Sequence, residues 1–170
     1  MSIFLQEATR ELLHRYYKDF ESDPDIFMDM EQFHPYQYDV ERVDAYCEAK
    51  VFRSDRKVFM IMDDTAPVGE LLLKNIDLEK GQCELSIHLQ RDEVKNRGFG
   101  TQAEILALRY AFEVFKLNTV YAGSVQKNAR SQHVLEKVGF VLMKEDDIFK
   151  YYKIEEMNFR KSSVTRFRRV

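Results

Sequence analysis

The stretch Lys95-Asn96-Arg97-Gly98-Phe99-Gly100-Thr101 is the part of this chain best suited to grip an anion. It lies between an apolar, strand-like run and a long helical pattern. The start of a helix presents unpaired N–H groups and the positive end of a dipole. Glycine lets backbone approach a phosphate with no Cβ in the way, and Lys95 and Arg97 add positive charge. The segment therefore suits a pyrophosphate, and a plain glycine-containing connector fits the same residues. Just upstream, Glu84, Ser86 and His88 alternate onto one face of a strand. A carboxylate and an imidazole on such a face suit proton transfer near neutral pH. Gly98, Gly100 and Ala103 also match the spacing of a dinucleotide fingerprint. That motif needs its first glycine directly after a strand and an acid on the next one. Gly98 stands well beyond Leu89, and residues 119–124 hold no acid, so nicotinamide and flavin binding are disfavoured.

The elements that must position these groups follow from periodicity. Residues 3–6 suit a short strand. Thr9 caps a helix whose apolar positions Leu12, Leu13, Tyr16, Tyr17 and Phe20 share one face. Asp23-Pro24-Asp25 breaks it, and residues 21–38 are irregular, acidic and aromatic. Asp39 caps a second helix carrying Val43, Tyr46, Cys47 and Lys50. Strands are predicted at 58–62, 68–76 and 82–90, joined by short turns into an antiparallel meander. A helix over 100–116 follows, with Gln102, Arg109, Glu113 and Lys116 on one face and Ile105, Leu108, Ala111, Phe112 and Phe115 on the other. Glu104 sits inside the apolar arc, where only the helix dipole accounts for it. A strand at 118–124, a helix at 129–137 ended by Gly139, and a hairpin of 141–144 with 148–154 complete the order. The fold class predicted is α+β: a mixed, mostly antiparallel central sheet with helices on both faces.

Bulk properties narrow the classes. With 170 residues, 45% of them hydrophobic, the chain suits one domain with a real core. A net charge of -3 argues against general binding to polyanions. Cys47 and Cys83 show neither metal spacing nor a disulfide framework and read as small buried hydrophobes. No metal is expected. Glu7, Arg10 and Glu11 interrupt any apolar run near the start, so a signal peptide is not expected, and a cytoplasmic setting is the default. No apolar stretch is long enough to span a bilayer.

Three segments together resemble the GNAT superfamily of acetyl-CoA-dependent N-acetyltransferases. The family loop Gln/Arg-x-x-Gly-x-Gly/Ala is matched by Lys95-Asn96-Arg97-Gly98-Phe99-Gly100, with lysine as a departure at its first position. A second motif matches Asn128-Ala129-Arg130-Ser131 followed by Leu135-Glu136-Lys137-Val138-Gly139-Phe140. The strand Cys83-Glu84-Leu85-Ser86-Ile87-His88-Leu89 resembles the branch that includes ribosomal-protein N-terminal acetyltransferases. The likeness spans about residues 2–156 in element order, giving a domain over 1–156 and a basic tail over 157–170.

The resemblance implies acetyl-CoA as cofactor, with its pyrophosphate on the backbone N–H groups of Asn96, Arg97, Gly98, Phe99, Gly100 and Thr101 beside Lys95. It implies a pantetheine arm along the main chain of Ile87, His88 and Leu89, where the strand splays from its neighbour. A backbone N–H near Ile87 would polarise the thioester carbonyl. Asn128 would bond the arm, cap its own helix, or do both. Glu84 matches the family glutamate and is the preferred base, with His88 as second candidate. A tyrosine that many members use to protonate the departing thiolate is replaced by Leu135, leaving Ser131 as a donor to the sulfur.

The run Asp19, Glu21, Asp23, Asp25, Asp29 and Glu31, interleaved with Phe27, Met28, Phe33, Tyr36 and Tyr38, would suit a cationic acceptor. A solvated acidic loop with a few core anchors is the plainer reading and fits better. His34 and Tyr38 are candidates to face the site, whereas His14 and His133 read as ordinary helix residues. Arg160, Lys161, Arg166, Arg168 and Arg169 give the tail its charge; a frayed end fits better than a nucleic-acid contact. The expected function is acetyl transfer to a small cationic metabolite or to a peptide or protein N-terminus. The alternative is an acetyl-CoA-binding sensor or interaction module without turnover. No membrane partner is expected, and a homodimer is left open.

Overall fold

The structure is a computed structural model that describes residues 2–27 and 29–167, and the side chains only as far as 162. Met28, Arg168 and Arg169 lie outside the described residues, as does the side chain of Arg166. Among the described residues, seven strands form one sheet: β1 Phe4–Glu7, β2 Lys57–Asp63, β3 Ala66–Asp77, β4 Gln82–Leu89, β5 Thr119–Val125, β6 Val141–Glu145 and β7 Phe149–Glu155. Their spatial order is β1-β2-β3-β4-β5-β7-β6. Every pairing is antiparallel except β4 with β5. Helices cover both faces, so the predicted class and layering stand.

Alternation along the strands sends residues to two cores. Val58, Met60, Met62 and Leu72 pack with Leu12, Leu13 and Tyr16 of α1 (Arg10–Lys18) and with Val43 of α2 (Val40–Tyr46). Phe59, Ile61, Leu71, Leu73 and Leu85 face the other way. They meet Phe99, Ala103, Ala107 and Leu108 of α3 (Phe99–Arg109) and Leu135 and Val138 of α4 (Ala129–Val138). Burial of such side chains stabilises by roughly 1.5–3 kcal/mol each before chain entropy is subtracted. Cys47 and Cys83 are free thiols inside these cores.

The helix starts are those the sequence predicts. The Thr9 hydroxyl accepts from Leu12 N at 3.2 Å, and the Asp39 carboxylate accepts from Arg42 N at 2.8 Å. Two features differ from expectation. Helices α2 and α3 each widen into a π-helical turn, over Cys47–Val51 and Tyr110–Val114. Beyond β7, Glu156–Phe167 form helix α5, and Phe159 enters the core beside Phe112 at a ring separation of 5.5 Å. Residue 156, read as the end of the domain, is where strand β7 gives way to helix α5. A cluster of charged residues masked that single anchor.

Candidate active site

The site begins where β4 and β5 part company. Their parallel pairing covers residues 82–85 against 119–122 and then stops, although β4 continues to Leu89 and β5 to Val125. β3 still pairs with β4 up to Leu89, and β7 with β5 up to Val125. The fork therefore leaves one edge of residues 86–89 without a strand partner. The expected splay is present, and its register places the opening at Ile87, His88 and Leu89.

Three other elements close round the fork. The far end of α1 is pinned to the end of β4 by Gln90. Its side-chain amide donates to Tyr16 O at 2.8 Å, and its carbonyl accepts from Glu21 N at 2.8 Å. That fixes Phe20, Glu21 and Asp23 along one wall. Helix α3 supplies Gly100 and Glu104, and the start of α4 supplies Asn128, Arg130, Ser131 and Val134. The cleft is open on one side, and its empty space together with the mouth is roughly 760 Å³.

The floor of the anion site is backbone. Gly98 precedes α3 with φ at +79°, a left-handed conformation that a side chain would strain. No side chain caps α3, so its first-turn N–H groups stay open to a ligand. A Cβ built on Gly100 would meet only Val134 Cγ1, at 3.9 Å, so the space in front of the turn is open. The two cations of the loop are engaged elsewhere. Lys95 bonds Asp23 at 2.7 Å and Asp92 at 2.9 Å, bridging the α1–α2 segment to the loop. Burial opposes the charge of Lys95, but the bonds from both carboxylates outweigh it and hold its pKa above the usual value. Arg97 stacks over Phe99 at 4.6 Å and pairs with Asp63 at 3.7 Å.

The fork gathers some of the expected residues and not others. Ile87, His88, Leu89, Lys95, Gly100, Asn128 and Ser131 line the cleft, while Asn96, Arg97, Gly98, Phe99 and Thr101 belong to the loop and turn that border it. Asn128 caps α4, its side chain accepting from Ser131 N at 3.0 Å. Glu84 is not a lining residue. It stands in the paired part of β4, bonded to Lys74 at 3.1 Å and to Asn75 at 3.1 Å. Of the acidic run, Glu21 and Asp23 reach the cleft. Asp23 and Asp29 also cap short turns, accepting from Asp25 N and Glu31 N. His34 and Tyr38 do not line it; Tyr38 bonds His14 at 2.8 Å, and His14 bonds Asp44 at 2.9 Å.

Two buried carboxyl groups were not assigned roles by sequence. Glu70 on β3, directly opposite His88, has no exposure. It accepts from the Tyr17 hydroxyl at 2.6 Å and from the Tyr46 hydroxyl, tying both N-terminal helices to the sheet. Burial, then the Glu70 charge, push both phenols upward in pKa. Glu104 is 1% exposed, and its Oε2 has no partner. Burial alone pushes its carboxyl up to about 8. The signal for Glu104 was legible as a carboxylate inside an apolar arc.

Residues 2–141 match the acetyltransferase (GNAT) domain. The chain belongs to the GNAT acetyltransferase family. As a GNAT enzyme it is an acetyl-CoA-dependent N-acetyltransferase. Solved structures share the fold. Spermidine N-acetyltransferase from Vibrio cholerae, in complex with CoA and spermine, superimposes with a TM-score of 0.72 at 18% identity, covering 93% of this chain and 98% of that one. A dodecameric form of that Vibrio cholerae enzyme gives 0.72 at 19%, covering 95% and 98%. A protein from T. thermophilus described as an acetyltransferase gives 0.78 at 19%, covering 100% and 94%. No curated protein matches by sequence. Among the described residues no group of His, Cys, Asp or Glu is placed to hold a metal ion, and no helix is long and apolar enough to cross a membrane. The uncapped start of α3, the unpaired edge of β4 and the open space before Gly100 fit the diphosphate and arm of acetyl-CoA.

Proposed function

We propose that this GNAT enzyme acetylates a primary amine on a small cationic molecule, by direct attack inside the β4–β5 fork. The observation that carries this reading is the wall opposite α3, where Glu21 and Asp23 face a cleft that also contains the unpaired edge of β4. Acetyl-CoA supplies the thioester whose carbonyl the amine attacks. In this reading the first-turn N–H groups of α3 hold its diphosphate and the main chain of residues 87–89 pairs with its arm. A backbone N–H near Ile87 stabilises the developing oxyanion.

An amine attacks only after losing a proton. Of the two expected bases, His88 lines the cleft and Glu84 is held off by Lys74, so the proton passes to His88 directly or through water. Leu135, at the family tyrosine position, is buried and does not line the cleft. The Ser131 hydroxyl takes over the bond to the leaving sulfur. Asn128 orients the arm while capping α4. The carboxylate of Glu21 draws in the acceptor's charge.

A thiol-release assay with acetyl-CoA against polyamines, aminoglycosides, amino acids and short peptides tests this. Release with polycationic small amines supports the proposal. Release confined to peptides would instead place the chain with the N-terminal acetyltransferases. Binding without release across the panel would make it an acetyl-CoA sensor.

A further inference from the structure

Glu104 breaks a local rule of its helix. It shares the inner face of α3 with Gly100, Ala103, Ala107 and Leu108, all small or apolar. A buried carboxyl with an unpaired oxygen costs roughly 1–3 kcal/mol or more, and an alanine or leucine would pack there more cheaply. Residues that break a local rule without local compensation cluster at functional sites. The expense at Glu104 has no return within the described protein, since Oε2 meets no donor.

Its position says what return is available. Glu104 stands one turn beyond Gly100, about 6 Å further along the helix axis. It lines the same cleft as Ile87 and Leu89 of β4 and Ser131 and Val134 of α4. A coenzyme whose diphosphate rests on the first turn of α3 must lead its arm inward past this side chain. The arm of acetyl-CoA carries secondary amides, each with one N–H and one C=O. The β4 edge and Asn128 can meet some of these groups, the apolar side chains around them meet none, and the Glu104 carboxyl can meet a further one.

We propose that Glu104 is a further coenzyme-binding residue, whose carboxyl hydrogen-bonds an amide of the acetyl-CoA arm. The inference rests on the coenzyme occupying this cleft. It differs from the backbone contacts expected along β4, and no sequence motif assigns it. Held as the protonated acid, the group both donates and accepts, which Glu104→Gln preserves and Glu104→Leu abolishes.

Calorimetric titration separates the possibilities. The ligands are coenzyme A and 3′-phosphoadenosine 5′-diphosphate, the nucleotide half without the arm. Glu104→Leu is expected to weaken coenzyme A by about tenfold and to leave the nucleotide half unchanged. Glu104→Gln stays within about threefold for both. Melting curves of both variants should show no loss of stability, so the change is not one of folding. Equal affinity of wild type and Glu104→Leu for coenzyme A, or equal loss for both ligands, overturns the inference. If the coenzyme binds but Gly100→Glu leaves that binding intact, the coenzyme does not use this cleft, and the placement fails before Glu104 is at issue.

Discussion

At the residue scale, two carboxyl groups of this chain stand in surroundings that their sequence positions do not suggest. Glu84, on the strand that resembles the family motif, is partly exposed and shared between Lys74 and Asn75. Glu104, which only the helix dipole accounts for in sequence, is buried against the cleft. Accordingly Glu84→Gln is expected to keep kcat within about twofold, while His88→Ala lowers kcat/KM by roughly a hundredfold; steady-state kinetics across pH checks both. The sign of the Glu104 effect on stability follows from linkage. Its folded pKa is raised from the ordinary 4.5 to about 8, so the native state binds more protons than the unfolded chain between those values. Wild type therefore loses stability relative to Glu104→Gln as pH rises from about 4.5 to about 8, and no further above that. Melting temperatures of the two proteins should coincide near pH 4 and differ by several degrees at pH 8. Glu21, Asp23, His88, Lys95 and Arg130 line the same cleft and are common to both proteins, so the difference isolates Glu104.

At the element scale, what is local in the sequence was legible and what is long-range was not. Thr9, Asp39, Asn128 and Gly139 punctuate helices because a cap needs only a neighbour a few residues away. The three-strand meander follows from alternation and short turns in the same way. The π-helical turns carry no comparable mark; each depends on how a helix end settles on the sheet. The cations of the glycine loop show the limit most clearly. Lys95 and Arg97 read as ligands for an anion, but their partners Asp23, Asp92 and Asp63 were invisible until the chain folded. Asn128 offers a test at this scale. Asn128→Ala should cost about 1 kcal/mol through the lost cap. Asn128→Asp keeps the cap and places a negative charge beside the start of α4. If the amide also holds the arm, both variants raise KM for acetyl-CoA although only the first lowers stability.

At the scale of the whole molecule, one interruption in an otherwise continuous sheet makes the site. Two cores clamp the sheet from opposite faces, and the fork between β4 and β5 opens a passage between them. The anion site comes from the α3 face, the acidic wall from the α1 side, and α4 borders both. Element order let the fold class be read from sequence, while the fork's register and the docking of α5 depend on contacts between distant segments. Phe159→Ala should cost roughly 3–5 kcal/mol, measurable by urea unfolding, because α5 is anchored through that ring; a loosely attached tail would show almost no change.

Every proposed step depends on the first turn of α3 receiving the coenzyme's diphosphate. Gly100→Glu tests this with little risk to the fold: the added side chain enters open space, and a negative charge in the first turn of a helix is favourable. Calorimetric titration of acetyl-CoA into wild type should show one site per chain, weakened at least about tenfold in Gly100→Glu. No binding to the well-folded wild type, or equal affinity for the two proteins, would contradict that placement.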